Sequence, residues 1–557
     1  MKSCTDCSVI KSITQGTIWK SQEINSDNIK IPLTLFFDDV EVNNPLGSHK
    51  GLSKIGTVYC TISCLPPEYA SMLENIFLLQ IHKYTDYKCF GNERIFHNII
   101  KQLTDLENNG LIVNVYGKEY KIFFNLIYIA GDNLGLNSIL GFNKSFNSMY
   151  SCRICTASKT EYHKQFVENS ELIRKIESYS EHCSNKMFGI QELCTFNKIP
   201  AFHLLTNISI DPMHDLLEGV CRYDMGKIFN NFINVEKFFT LQHLNNRLSN
   251  YERISCDKNI IPILQVDSIK NKLIIVSASE MLFLVNNFCL LIGNLIPIKN
   301  KFWKLYLLLR KIVYITILDT LTLNTRHLLE IYIIKYLKLH VNLFENQLKP
   351  KHHNLIHYSR IIEKYGPLKN LSCMRFEAKH KQIIAYSKTM SSRTNISYSL
   401  ALKHQMKLCY RFICNEGFVN RISHGTTTGN FNDTKEWLCL KSTITLSENY
   451  KNFQCFNWIQ LYGTKYEINN IIRTNKIIDN GPIAFGKINV IMLDSINHKV
   501  YFVYTHFLVI EYSEHLTAYE LELTKEIECE SQDNLKDYKT YVTHVLNDKI
   551  YIAKNDF

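Results

Sequence analysis

The stretch KEYKIFFNLIYIAGD, Lys118–Asp132, decides how the rest of the chain is read. From Ile122 to Ala130 it is apolar except for Asn125, and it stops at Gly131-Asp132. A continuous apolar run of this length is what a central strand covered on both faces requires. The preceding run, LIVNVYG at Leu111–Gly117, also has strand character, and Gly117-Lys118 offers a hairpin between the two. Upstream, Pro32–Phe37 (PLTLFF) is another short apolar run, and it ends on Asp38-Asp39. Thr57–Leu65 (TVYCTISCL) predicts a strand from its β-branched and aromatic residues. Glu68–His82 and Asn92–Leu106 space their apolar residues as helices do. Strands and helices interleaved in this way predict an α/β core over residues 31–145.

The pattern changes on either side. Residues 1–30 are polar and irregular, with a Cys4/Cys7 pair that no finger-like His or Cys spacing completes. Residues 146–345 predict a mainly α-helical insertion, densest in Leu, Ile and Phe from Ile274 to Leu343. Residues 346–425 hold a His cluster, a Gly366-Pro367 breaker and a helix from about Arg375 to Met390. A polar junction follows at Ser423–Thr434, and 435–557 alternates short runs such as VYFVYTHFLVIEY, which predicts a small C-terminal β domain.

Bulk properties narrow the class. The chain has 557 residues, enough for two to four domains, and its 46% hydrophobic and 21% charged residues suit a globular protein. The N-terminus MKSCTDCSVIKSITQ lacks a continuous apolar segment, which argues against a secretory signal. The most apolar stretch, Ile274–Ile296, is interrupted by Glu280, Asn286, Asn287 and Asn294, so a buried helix is expected rather than a membrane span. A net charge of +11 is compatible with a polyanionic partner such as nucleic acid. Eighteen Cys without that signal imply reduced thiols, some of them free to bind metal.

Two sets of residues carry candidate chemistry. Asp38 follows TLFF and Asp132 follows LIYIAG, so neighbouring buried strands would bring both carboxylates to one sheet edge. Like charges repel at close range unless a cation lies between them, and hard oxygen donors suit Mg²⁺ or Mn²⁺. Asp39 replaces Asp38 if the register differs by one. Glu377 lies near the start of its helix, where it is either a third metal-binding acid or an i,i+4 partner of Lys381. The second set is Cys152-Arg153-Ile154-Cys155 with the distant His353 and His357, four apart and so on one helix face. Two thiolates and two imidazoles make a tetrahedral, closed, structural zinc site; a buried Cys pair and an unrelated His cluster is the simpler alternative.

The order of these parts is more informative than any one of them: Asp, Asp, CxxC, a long helical stretch, a His pair, then Glu. In that order FFDDVEVNNPLGSHKG (Phe36–Gly51), AGDNLGLNSILGF (Ala130–Phe142), YSCRICTA (Tyr150–Ala157), SIDPMHDLLEGV (Ser209–Val220) and HHNLIHYSRIIEKYGPLKNLSCMRFEAKHK (His352–Lys381) resemble the DDE transposases of the CACTA (En/Spm) superfamily. They are also similar to the related catalytic subunit of the V(D)J recombinase. The resemblance spans roughly residues 31–410.

The resemblance implies a ribonuclease-H-like catalytic core, interrupted by the insertion and closed by residues 346–425. It implies two Mg²⁺ or Mn²⁺ ions held by Asp38, Asp132 and Glu377, and structural Zn²⁺ on Cys152, Cys155, His357 and one of His352 or His353. The activity implied is metal-dependent cleavage and strand transfer of double-stranded DNA in a nuclear, homo-oligomeric enzyme. A descendant that binds DNA or chromatin without cutting is the alternative. Arg375, Lys379 and Lys381 are candidate phosphate contacts or a solvated helix face. Asp211 and His214 match a motif with no derivable role. Transposases of this kind carry a longer N-terminal region, so the expectation for end recognition here is that it has moved to the C-terminal β domain or to an accessory DNA-binding protein, or has been lost.

Overall fold

The computed structural model describes residues 9–22, 29–42, 54–251, 261–345, 347–390, 393–417, 422–428, 453–461, 463–474, 484–535 and 539–554. The Cys4/Cys7 pair, the Asn43–Gly51 end of the first acidic motif, the second half of the polar junction and residues 435–452 lie outside them. The chain is a mixed α/β protein that divides into two compact units. Unit 1 comprises residues 1–225, 273–281 and 304–417; unit 2 comprises 226–272, 282–303 and 418–557.

Unit 1 is organised by a five-stranded sheet. Its strands are β1 (Ile29–Glu41), β2 (Lys54–Ile62), β3 (Phe77–Lys83), β4 (Leu111–Val115) and β5 (Lys118–Gly131). The spatial order is β3-β2-β1-β5-β4, with β1 and β5 parallel and every other pair antiparallel. Leu126–Ala130 of β5 is fully buried, as its apolar run requires. Helix α1 (Tyr84–Asn108) covers one face, setting Phe96, Ile99, Ile100 and Leu103 against Leu35, Phe37, Leu126 and Ile129. It breaks at Gly91, whose φ of 68° is a left-handed conformation that favours glycine.

The segment Glu68–His82 is not the helix its spacing predicts. It forms a short helix over Pro67–Ala70, a 3₁₀ turn over Leu73–Asn75 and then edge strand β3. Pairing with β2, from Ile55 opposite Lys83 to Cys60 opposite Phe77, satisfies the backbone there and overrides the local periodicity. Nor is the N-terminal segment irregular where it is described. Val9–Ile10 pairs with Leu321–Thr322, and Ile13, Ile18 and Trp19 are buried. Gly16 approaches the Lys364 carbonyl so closely that a Cβ would sit 2.1 Å from its oxygen.

The span 146–345 is less uniformly helical than expected. From Asn143 to Pro212 it holds only short helical turns, and the longer helices begin beyond Met213. It is also divided, because 226–272 and 282–303 belong to unit 2 with the C-terminal strands. In unit 2, Phe288 of helix Ala278–Ile292 packs on Phe229, Phe232 and Trp303. This helix lies in the stretch Ala278–Leu295, apolar and long enough to cross a membrane, but 56% of it is buried inside the protein, as in a core helix. The long antiparallel strands Ala484–Asp494, Lys499–Ser513 and Ala518–Ser531 form the centre of the unit 2 sheet. Two shorter helices of unit 1 complete the scaffold of the site: α2 (Asn133–Ile139), which starts where β5 ends, and α3 (Met374–Lys388).

Candidate active site

The parallel register sets Phe37 of β1 beside Gly131 of β5, so the next residues, Asp38 and Asp132, leave the two central strands side by side. Asp38 does not end its strand. β1 continues to Glu41 because β2 keeps pairing with it, Asp38 opposite Thr57 and Glu41 opposite Lys54. Side chains alternate between faces, and this separates the two neighbouring acids. Phe36 and Asp38 share the face that receives α3: the Phe36 ring stacks on Phe376 at 4.6 Å, and Asp38 Oδ2 lies 3.0 Å from His380 Nε2. Asp39 turns the other way and pairs with Lys54 at 2.9 Å. Asp132 caps α2, its carboxylate accepting the Gly135 amide at 2.5 Å.

Glu377 stands on α3 between the two residues that bind β1, Phe376 and His380. Its Oε1 lies 3.3 Å from His214 Nε2, and the other nitrogen of that ring binds Asp211. The Asp211 carboxylate also accepts the backbone N–H of Met213 at 3.0 Å and of Cys373 at 3.1 Å. Asp211 therefore ties the start of the Met213–Val220 helix to the start of α3, and His214 reaches from that tie to Glu377. The charge of Asp38 acts on both other acids. Burial, opposed by His214 and reinforced by Asp38, pushes the Glu377 carboxyl up to about 7. Burial, opposed by the Gly135 amide and reinforced by Asp38, raises Asp132. His214 is driven up to about 9, because Asp211, Glu377 and Asp132 together outweigh its burial. Carboxyls strained in this way by burial and each other's charge are what a bound cation relieves.

A relay missed in the sequence supports the first acid. His380 Nδ1 lies 3.1 Å from the Tyr59 hydroxyl while its Nε2 faces Asp38. The consistent arrangement has Tyr59 O–H donating to Nδ1 and Nε2–H donating to the carboxylate. The signal was present, since His380 follows Glu377 by three residues and so shares its helix face.

Behind the acids lies the second predicted cluster. The sulfurs of Cys152 and Cys155 and the imidazoles of His353 and His357 are buried, with their ligand atoms within 4.8 Å of one another. Cys155 Sγ is 3.2 Å from His353 Nε2, and Cys152 Sγ is 3.5 Å from His357 Nε2. His357 donates its other nitrogen to Glu168 at 2.6 Å, which leaves Nε2 with a free lone pair, as in the carboxylate–histidine arrangement of metal sites. This group can hold a metal ion. His352, the alternative ligand, is turned away and lies 3.1 Å from Asp224 in a different cluster.

The two clusters share one polar frame. Arg153, inside the CxxC, donates to the Asn133 carbonyl and side chain and to Asn137, all on the segment that begins at Asp132. Buried Asp215 accepts from Asn133 and from Asn354, the neighbour of His353.

The three basic residues of α3 are not brought together. Lys381 is exposed. Lys379 is buried, and its ammonium donates to the Leu73 carbonyl at 2.8 Å, while the Arg375 guanidinium donates to the Ser71 carbonyl. Both donate to the segment before β3 and join α3 to it; Arg375 and Lys381 are exposed, and of these two only Arg375 is engaged by that segment.

A scan against protein-family models and a search of curated proteins find no match for this chain.

Proposed function

We propose that this chain is a DDE-type transposase, a polynucleotidyl transferase that cleaves and joins DNA by metal-dependent in-line displacement. One observation carries the proposal: Asp38 and Asp132, far apart in sequence, leave adjacent parallel strands, and the charge of Asp38 acts on both Asp132 and Glu377 of α3, the helix that packs on β1. The sheet order β3-β2-β1-β5-β4, with a single parallel pair at its centre, supports the ribonuclease-H-like reading of unit 1. So does the order of motifs that resembles CACTA-type transposases.

The three acids would hold two Mg²⁺ or Mn²⁺ ions, which when bound activate an attacking oxygen and stabilise a leaving one. The protein's own contribution is placement. β1 and β5 fix two acids at adjacent register positions. Phe36 and His380 dock α3, and Asp211 fixes its first turn, so that Glu377 stands within reach of the Asp38 charge. His214 orients Glu377. Exposed Lys381 is available to a backbone phosphate. The Cys152–Cys155–His353–His357 group would hold Zn²⁺ in a closed structural site, and Arg153 and Asp215 would transmit its rigidity to the Asp132 segment. A nuclear, oligomeric enzyme acting on double-stranded DNA follows from this proposal.

The test is nicking of duplex DNA by the purified protein with Mg²⁺ or Mn²⁺. Asp38→Asn, Asp132→Asn and Glu377→Gln are each expected to lower the rate by at least about 100-fold, the scale on which catalytic electrostatics act. Full activity in Glu377→Gln refutes the assignment of that residue. A wild-type protein that binds DNA but never nicks it points to the non-catalytic descendant instead.

A further inference from the structure

A cavity of about 140 Å³ lies within unit 1, where Cys152 and Arg153 meet Asn133 and Ile210, the chain neighbours of Asp132 and Asp211. That volume is close to the ~150 Å³ that holds a benzene molecule in a protein interior. Its floor is buried, since Cys152, Arg153, Ile154, Ser209 and Ile210 each keep 8% or less of their surface exposed. Phe146 and Lys349, both exposed, stand at its edge. Three cations line it, Arg153, Lys349 and Lys351, and among the described residues no carboxylate does. Donors there outnumber acceptors. Lys349 Nζ lies over the Tyr223 ring at 3.5 Å and has no hydrogen-bond or ion-pair partner among the described residues. Lys351 gives two of its three N–H groups to the carbonyls of His214 and Glu218, at 2.7 and 3.4 Å, and keeps one. The Arg153 guanidinium binds Asn133 and Asn137, while its Nε is buried without a partner. A buried donor without an acceptor is costly, and each one calls for an explanation.

We propose that this cavity binds a small organic anion, a carboxylate or phosphate head on an apolar body of about the size of a benzene ring. Lys349, Lys351 and Arg153 receive the head, and Tyr223, Phe146 and Ile210 cover the body. An apolar pocket with a few convergent polar groups is the usual make-up of a small-molecule site. The acids nearest the cations do not fill the role of the anion, because each is engaged elsewhere. Asp215 is held by Asn133 and Asn354, Asp211 by His214, Glu218 by Arg222, and Asp224 by His340 and His352. Burial lowers both lysines from their ordinary value, against the pull of Asp224 on Lys349 and of Asp215, Glu218 and Asp211 on Lys351. An anion in the cavity relieves that cost. Depth decides against the obvious rival, a nucleic-acid phosphate. The floor is buried and the volume admits one ring, so a phosphate flanked by two sugars does not reach Arg153. The site stands whether or not the acids cut DNA, because its occupancy is read without DNA or added metal.

The full-length protein is titrated by calorimetry with benzoate, phenyl phosphate, inorganic phosphate and uncharged benzamide. Benzoate and phenyl phosphate are expected to bind with a Kd below about 1 mM, which ligands of this size can reach. Inorganic phosphate, lacking the apolar body, should bind at least about fivefold more weakly than phenyl phosphate, and benzamide not measurably. Lys349→Met keeps the stem beside Tyr223 and removes the charge. It should weaken benzoate at least about tenfold, with an unchanged melting temperature because the side chain is exposed. Phe146→Ala should weaken benzoate and phenyl phosphate about threefold and leave inorganic phosphate unchanged. A wild type that binds none of the three anions up to about 10 mM overturns the proposal. So does benzoate binding that survives Lys349→Met. Benzamide binding as tightly as benzoate overturns the charge of the ligand, and inorganic phosphate binding as tightly as phenyl phosphate overturns its apolar body.

Discussion

His352 and His353 are consecutive on the short helix Pro350–Asn354, both are buried, and they serve two clusters of different kinds. His353 joins Cys152, Cys155 and His357. His352 joins Asp224, whose carboxylate receives His352 Nε2 and His340 Nε2, each at 3.1 Å, and the Tyr336 hydroxyl. By burial and by spacing of nitrogen and oxygen atoms, the second group could hold a metal as well. The far nitrogens separate them. In the first cluster His357 Nδ1 faces the Glu168 carboxylate, so it carries the proton and Nε2 is a free ligand. In the second, His352 Nδ1 accepts the Lys349 backbone N–H at 3.3 Å, so the proton sits on Nε2, which can donate to Asp224 and cannot bind a metal. The first is arranged as a group that could clamp a metal ion, the second as a hydrogen-bonded hub around one buried carboxylate. Hydrogen bonding at the back of one ring in each cluster, His357 and His352, more than proximity at its front, distinguishes the two; His353 Nδ1 is buried without a partner.

The largest effect expected from this contrast is at the clamp. His353→Ala or Cys155→Ser should abolish stoichiometric zinc binding and lower the melting temperature by about 10 °C or more, since a structural zinc site contributes folding free energy directly. Metal analysis of the purified variants and a thermal scan provide the check. Through Arg153 and Asp215 the same variants should also lower any nicking activity, although neither residue touches the three acids.

One residue earlier, His352→Ala should leave the zinc content unchanged. It should still cost about 3–5 kcal/mol, because Asp224 stays buried and charged with one donor fewer. A zinc-deficient His352→Ala protein would break the comparison.

Acid should separate the two clusters in the same order. Burial would raise Asp224, but His340 and His352 outweigh it and hold the carboxyl well below its ordinary value. A depressed carboxylate contributes stability that is present above its unfolded pKa of about 4 and lost as pH falls through the lower folded value. The hub should therefore persist to below about pH 4. The clamp needs deprotonated thiolates and should release its metal earlier, between about pH 6 and 5. A chromophoric chelator reports the release, and unfolding measured across the same pH range reports the hub. Loss of both in one step would contradict the distinction.

Much of this was legible in the sequence, and the failures share a cause. The continuous apolar run of β5 announced a central strand, and the acids after it and after TLFF announced an edge where charge collects. The CxxC and the His353/His357 spacing announced a buried group that could hold a metal ion. What the sequence withheld was tertiary. Glu68–His82 is helical by period and a strand by pairing. The choice between His352 and His353 rests on residues 224 and 340, which no local pattern connects to 352. Lys379 and Arg375 read as free cations, because the carbonyls they bind, at 73 and 71, are distant in sequence.

A smaller effect tests the support of the clamp. Glu168→Gln keeps the side-chain shape and a hydrogen bond to His357 but removes the charge, which also pairs with Arg360 at 2.6 Å. Zinc affinity should fall about 10- to 100-fold with the fold intact, the usual consequence of losing a carboxylate behind a ligating histidine. Competition with a chelator of known affinity measures it.

The smallest effect is the most diagnostic. Lys349 has a φ of −84°, close to what proline adopts, so Lys349→Pro removes one backbone N–H with little else disturbed in the chain path. Its side chain also lies over the Tyr223 ring at 3.5 Å, so Lys349→Ala serves as the control for that contact. Relative to the alanine variant, proline should cost about 1 kcal/mol, the net worth of one hydrogen bond. Its further consequence is chemical. Without the N–H, His352 Nδ1 no longer has to accept, the proton can move there, and Nε2 becomes a ligand beside His340 and Asp224. Lys349→Pro should then take up a second equivalent of zinc or cobalt, which Lys349→Ala and the wild type should not. A wild type that already binds two structural ions per chain would show that the hydrogen bond at the back of His352 does not decide its role.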